Sequence, residues 1–144
     1  MFENYVRKHI FDYKRYELLE RSPRFTDDPE QFALSALKPD FRFRERSKGI
    51  EFMVEVKFRR RYHNSNEINW SKPWQLARYQ DYARECPTFL LLGLGEDPER
   101  PNMLGLIPME KAKYPRLFLK VIREHKIAVD QPVSLEVLFN DSKF

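Results

Sequence analysis

Three ionisable residues stand at a spacing that can hold a cation: Asp40, then Glu55 and Lys57 with one residue between them. The stretch that carries them has period two. Phe41 and Phe43 alternate with Asp40, Arg42 and Arg44. After the turn composition Ser47-Lys48-Gly49, Ile50, Phe52, Val54, Val56 and Phe58 alternate with Glu51, Met53, Glu55, Lys57 and Arg59. This pattern predicts a β-hairpin with one buried face. Paired residues of an antiparallel ladder share a face, so each pair must join an odd position of the first strand to an even one of the second. Pairing Phe43 with Phe52 and Phe41 with Val54 satisfies this, and sets Arg44 opposite Glu51 and Asp40 opposite Glu55. The next allowed register sets Asp40 opposite Lys57 and diagonal to Glu55. Both gather Asp40, Glu55 and Lys57 on one polar face.

Directly opposed side chains have Cβ atoms roughly 4.5–5.5 Å apart, where like charges repel. Two carboxylates held so close call for a compensating cation. A hard divalent ion such as Mg²⁺ suits them, being bound by one or two carboxylates plus waters and phosphate oxygens. Lys57 alone can partly neutralise the pair instead, and a half-exposed ribbon lined with charge is the third reading.

The combination Pro39-Asp40, a hairpin's span, then Glu55-Val56-Lys57 preceded by the apolar Phe52-Met53-Val54 resembles the PD-(D/E)XK nuclease superfamily. The run Gln75-Leu76-Ala77-Arg78-Tyr79 is similar to the Q-x-x-x-Y helix of its RecB and lambda-exonuclease branch. Gln75 and Tyr79, at i and i+4, share one helix face. Tyr79 also lies on the apolar stripe Leu76, Tyr79, Ala83, which gives it a core reading beside the substrate-binding one. The start Phe2-Glu3-Asn4-Tyr5-Val6 is similar to a first helix that places a Glu near the metal; Glu3 also suits a helix N-terminus as a bare charge. The resemblance spans roughly residues 3 to 92.

It implies a restriction-endonuclease-like core and Mg²⁺- or Mn²⁺-dependent hydrolysis of phosphodiesters. Asp40 and Glu55 would bind the metal, with Glu3 and the Val56 carbonyl as further ligands, and Lys57 would orient the attacking water. Gln75 and Tyr79 would position the substrate backbone. Arg42, Arg44, Arg59, Arg60 and Arg61 are candidates for phosphate neutralisation, as are Lys111, Lys113, Arg116, Lys120 and Arg123 further on. DNA is the expected partner, with RNA left open, and similar enzymes include homodimers. A non-cleaving nucleic-acid-binding module of the same fold, working within a larger complex, is the alternative. A protein-interaction domain with incidental charge is a third reading.

Other elements must hold this hairpin. Phe2 to about Glu20 predicts an amphipathic helix, with Phe2, Val6, Ile10 and Tyr13 at helical spacing and Arg21-Ser22-Pro23 as the stop. Thr26 to Lys38 fits either a short helix or an edge strand. A polar loop, Arg60 to Asn69, leads to a helix from about Ser71 to Glu85, capped by Ser71, with Pro73 in its first turn and Pro87 beyond its end. Thr88 to Leu94 is an apolar run of strand length, suited to burial on both faces. A turn at Gly95 to Asn102 and a strand at Met103 to Ile107 follow. A helix from about Pro115 to His125 and an alternating strand Val133, Leu135, Val137, Phe139 complete an α/β domain with a mixed sheet flanked by helices on both faces. Trp70 and Trp74 flank the start of the central helix. Both can stack on unpaired bases, while burial of an aromatic at a helix entry is the plainer expectation.

At 144 residues, with an apolar fraction of 42% and no repeat or Gly/Ser linker, the chain is expected to form a single domain over 1–144. A net charge of +4, concentrated between Arg42 and His63, suits a polyanion. The lone Cys86 excludes an internal disulfide. No apolar run is long enough for a bilayer, and the N-terminus carries no signal-peptide core, so a cytoplasmic protein with no membrane partner is expected. His9, His63 and His125 are too scattered for a zinc motif. Gly93-Leu94-Gly95 lacks the third glycine of a dinucleotide fingerprint, and no Walker lysine follows it.

Overall fold

The structure is a computed structural model and describes residues 1–22, 38–60 and 66–139. Strand β3 (Glu51–Arg60) is the axis of a six-stranded mixed sheet. On one side it pairs antiparallel with β2 (Phe41–Glu45), which pairs antiparallel with β1 (Tyr16–Arg21). On the other it runs parallel to β5 (Thr88–Gly95), followed outward by β6 (Met103–Pro108) and the short β8 (Lys126–Ile127). The parallel step needs a crossover, and helix α2 (Pro73–Glu85) supplies it. A separate two-stranded ribbon joins β4 (Glu67–Asn69) to β7 (Arg116–Phe118).

Of the two registers that parity allows, the first is observed: Phe43 pairs with Phe52, Phe41 with Val54 and Arg44 with Glu51. Gly49, at φ 70, makes the turn, its amide donating to the Glu45 carbonyl at 2.8 Å. Both faces of β3 are covered, however. Met53 and Glu55, on the face expected to be polar, are as buried as Val54 and Val56.

Helix α1 (Phe2–Tyr5) widens to π geometry over Val6–Ile10 and packs on one face of the sheet. An aromatic nucleus lies beneath it. Phe11, Tyr16, Phe43 and Phe52 have ring centroids 5.0 to 6.3 Å apart, mostly tilted or edge-on as ring quadrupoles favour. Leu90, Leu92 and Leu94 line the opposite face with Leu76 and Tyr79 of α2, and Leu119 and Ile122 of α3 (Leu119–Glu124). Helices therefore flank both faces.

Five expectations are corrected. The first helix ends at Ile10, because Phe11 turns into the aromatic nucleus; Tyr16–Arg21 is an edge strand, and the Tyr16 hydroxyl donates to the Val133 carbonyl. The central helix is capped at Lys72, whose amide donates to the Gln75 side chain at 3.2 Å, while the Ser71 hydroxyl donates to the Lys72 carbonyl. The expected loop before it contains β4, and the helix expected from Pro115 opens as β7. The expected final strand is helix α4 (Leu135–Phe139): Val133 and Leu138 are buried and Phe139 packs edge-on against Phe89, while Val137 is exposed, a pattern that strict alternation cannot produce. The ambiguous segment Thr26 to Lys38 lies outside the described residues except for Lys38. No helix among the described residues is long and apolar enough to cross a membrane.

Candidate active site

Asp40 immediately precedes β2 and Glu55 lies mid-way along β3. The two are cross-linked through main chain. The Asp40 amide donates to Glu55 Oε1 at 3.2 Å, and the Val56 amide donates to Asp40 Oδ2 at 2.9 Å. The β2–β3 ladder stops at Phe41 and Val54, so beyond it the Asp40 carboxylate takes the place of a strand partner. In an extended residue the N–H and C=O point to the same edge. The Val56 carbonyl therefore faces the Asp40 side, where the hairpin ladder has ended.

Lys57, two residues along β3 on the same face, places Nζ 3.2 Å from Glu55 Oε2. Glu55 is buried, while the Lys57 side chain keeps 22% of its surface in solvent. Burial pushes the Glu55 carboxyl up to about 8, and the Asp40 charge adds to the shift. Lys57 and a hydrogen bond from the Tyr79 hydroxyl offset part of it. Tyr79 is itself buried on α2, which drives its phenol far above its ordinary range and keeps it a neutral donor. The i and i+4 relation of Gln75 and Tyr79 holds on α2, but the two side chains do different things: Gln75 closes the helix N-terminus, and Tyr79 reaches Glu55.

The donor set can be tested against a divalent ion. Two oxygen-bearing acids from adjacent strands converge, one of them buried with a raised proton affinity that Lys57 offsets in part and a further positive charge would relieve. A main-chain carbonyl lies on the same edge. These hard oxygen donors fit Mg²⁺ or Mn²⁺, which complete their shell with water and phosphate. Among the described residues, no three Asp, Glu, His or Cys side chains gather closely enough to hold an ion unaided. Glu3 is buried on α1, and Arg21 Nη2 lies 3.6 Å from its carboxylate; Arg21 ends β1 next to Ser22, whose amide donates to the Asp40 carbonyl.

The arginines fall into distinct settings. Arg42 donates to Glu51 at 2.8 and 3.0 Å, and Arg44 reaches Glu51 at 3.3 Å and Glu17 at 3.2 Å. Arg60 donates to the Glu96 carbonyl at 2.6 Å. Arg59 faces inward and ties down the ribbon, donating to the carbonyls of Asn69 (2.9 Å) and Trp70 (3.3 Å); burial lowers its guanidinium pKa. Arg61 lies outside the described residues. Trp70 is fully buried, stacks on Tyr79 with centroids 6.0 Å apart, and donates its indole N–H to the Tyr114 carbonyl at 2.8 Å. Trp74 is exposed. Sequence reasoning missed the contribution of the Asp40 and Val56 amides, which carry no side-chain signal, and the anchoring role of Arg59, which the parity of β3 already placed beside Lys57. Cys86 is half-buried and burial raises its thiol pKa, as expected of an inert cysteine.

No protein-family model matches the chain, and no curated protein matches it. Among solved structures it is similar to Hjc, a Holliday junction resolvase from the archaeal hyperthermophile Archaeoglobus fulgidus. The TM-score is 0.51 at 12% identity, covering 80% of this chain and 82% of that one. At this identity the likeness concerns the fold. The chain has the restriction-endonuclease-like architecture expected from its sequence, a mixed sheet with helices on both faces.

Proposed function

We propose that the protein is a divalent-metal-dependent nuclease that hydrolyses phosphodiester bonds in DNA. The observation that carries this reading is the cross-bonded pair Asp40–Glu55 with Lys57 Nζ at 3.2 Å, on the helix-covered face of a restriction-endonuclease-like sheet. The fold shared with a Holliday junction resolvase supports DNA as the substrate.

Asp40, Glu55 and the Val56 carbonyl would hold Mg²⁺ or Mn²⁺, with Glu3 a candidate further ligand. When bound, such an ion supplies Lewis-acid polarisation of the phosphate and charge for the leaving oxygen. The chain's own groups do the remainder. Tyr79 fixes the Glu55 carboxylate, and Lys57 presents a compact positive charge that orients the attacking water or meets charge growing on a non-bridging oxygen. Gln75 and Tyr79 stand at the spacing of the RecB and lambda-exonuclease branch's helix; on substrate binding Gln75 would leave the Lys72 amide to meet the substrate backbone. Arg42, Arg44, Arg60 and Arg61 are candidate phosphate contacts, whereas Arg59 is held by main-chain carbonyls; Arg42 and Arg44 would exchange Glu51 for phosphate on binding. A cytoplasmic location and a homodimer fit this reading.

The test is incubation with linear, circular and single-stranded DNA in Mg²⁺, in Mn²⁺ and in EDTA, beside Asp40→Ala and Lys57→Ala. Metal-dependent product from the wild type, lost in both variants, is expected. Salt-sensitive binding without product in every sample would instead favour a non-cleaving nucleic-acid-binding module. Absence of both overturns the proposal.

A further inference from the structure

Arg42, Arg44, Arg59 and Arg60 of the hairpin are already engaged with glutamates or with main chain. The β4–β7 ribbon is different. Along Lys113-Tyr114-Pro115-Arg116-Leu117-Phe118-Leu119-Lys120, Leu117 and Leu119 are buried, while Lys113, Tyr114, Arg116, Phe118 and Lys120 are exposed. Among the described residues, Lys113, Arg116 and Lys120 make no ion pair. Tyr114 and Phe118 are 66% and 61% exposed, and Trp74, four residues beyond Trp70, is 49% exposed. Isolated exposed rings are ordinary; Tyr114 and Phe118, two exposed rings four residues apart and interleaved with uncommitted cations, have the composition of a binding surface.

The chemistry of that surface selects its occupant. Arg116 and Phe118 are two residues apart on a strand, a step of about 6.7 Å on one face. A ring and a cation repeated at such a step match a polymer that offers a flat π-face and an anion in each unit. Single-stranded nucleic acid does so, whereas a duplex hides its base faces in the stack. A second copy of this chain would set three cations against three. The ribbon is also joined to the candidate active site. Arg59, two residues past Lys57, holds the Asn69 and Trp70 carbonyls, and Trp70 stacks on the Tyr79 ring, whose hydroxyl meets Glu55.

We infer that the exposed side of residues 113–120, which lead into β7 and on to the start of α3, binds a single-stranded DNA segment, stacking unpaired bases on Tyr114 and Phe118 and neutralising phosphates with Lys113, Arg116 and Lys120. The substrate class of the neighbouring site is then DNA with an unpaired strand, a statement that rests on the nuclease reading; the binding itself does not.

Fluorescence anisotropy in EDTA with labelled dT20 and with a 20-base-pair duplex tests this directly. The wild type binds dT20 more tightly than the duplex. The double variant Tyr114→Ala/Phe118→Ala weakens dT20 binding by about tenfold or more and duplex binding by less than about twofold. Arg116→Gln/Lys120→Gln weakens both and flattens the salt dependence. Tyr114→Phe/Phe118→Tyr retains the rings and binds like wild type, which separates ring loss from misfolding. No preference for dT20, or full affinity in a folded variant without rings, overturns the inference. So does a variant that dissolves a dimer and leaves DNA binding unchanged. Selective binding by a protein that never cleaves leaves the inference standing and removes the nuclease reading; metal-dependent cleavage with unselective binding does the reverse.

Discussion

The main-chain amide of Asp40 donates to the Glu55 carboxylate, and the Asp40 carboxylate accepts the amide that follows Glu55. Each acid is thus positioned by the backbone that carries the other. Their separation is set by the hairpin register and not by side-chain rotamers alone. The pairing of Phe43 with Phe52 and Phe41 with Val54, an apolar matter on the opposite face, therefore determines whether the two acids meet.

The buried carboxyl makes stability fall with rising pH when no divalent metal is present. Glu55 has a folded-state pKa of about 8 against an ordinary 4.5. Between these values the folded protein keeps a proton that the unfolded chain has released. Stability is highest below the lower value, declines through the window and levels above the upper one. The effect is on the order of a few kcal/mol. Urea unfolding in EDTA at several pH values checks it. Glu55→Gln should flatten the dependence, and added Mg²⁺ should raise the midpoint far more at high pH than at low. A midpoint that rises with pH in EDTA would contradict the assignment.

Glu55→Gln and Lys57→Ala should move stability in opposite directions while both abolish cleavage. The first removes a buried charge next to Asp40, raising the melting temperature in EDTA above pH 8. The second strands Glu55 without its cation and lowers it. Loss of activity should reach about 10²–10³-fold or more for Lys57→Ala. Differential scanning calorimetry alongside an oligonucleotide cleavage assay reads both.

Arg59 should behave as a structural residue. Its guanidinium donates to two carbonyls of the chain entering α2 and to the Phe58 carbonyl at 3.0 Å. Arg59→Lys loses the planar fork and should cost about 1.5–3 kcal/mol, with faster hydrogen exchange around Ile68. Arg44→Ala, at an exposed pair, should cost less than about 1 kcal/mol.

Gly93→Ala should loosen the seat of α1. A Cβ there would lie 2.5 Å from Phe2 Cζ and 3.2 Å from Phe58 Cδ1, two rings that pack on each other. A loss of about 1–3 kcal/mol is expected. It should shrink when Phe2→Leu is combined with it, because the two changes share one space. Denaturant curves of the single and double variants measure the coupling.

The hairpin, the parallel strand after it and the central helix were legible because each has one strong periodicity: two for Ile50 to Phe58, an unbroken apolar run for Phe89 to Leu94, and a Pro-bounded amphipathic run between. Tyr16–Arg21 was not, since Tyr-Glu-Leu-Leu-Glu-Arg suits either a helix turn or a strand, and only pairing with β2 decides. Leu135–Phe139 shows the converse: alternation over five residues was overridden by where the last turn could reach the core. Asp40, Glu55 and Lys57 converge as parity required. The burial of Glu55 could not be read, because it depends on Tyr79 and Trp70, which arrive from the far end of a crossover.

The parallel pairing of β3 with β5 divides the assembly of this site in time. Asp40 and Glu55 are only 15 positions apart and are joined by a tight turn, whereas the cover over them needs the chain to travel out and back. Short loops close sooner than long ones. The two acids are accordingly expected to meet while water still screens their repulsion, and to be shut away from it later, when the register has already committed them to each other.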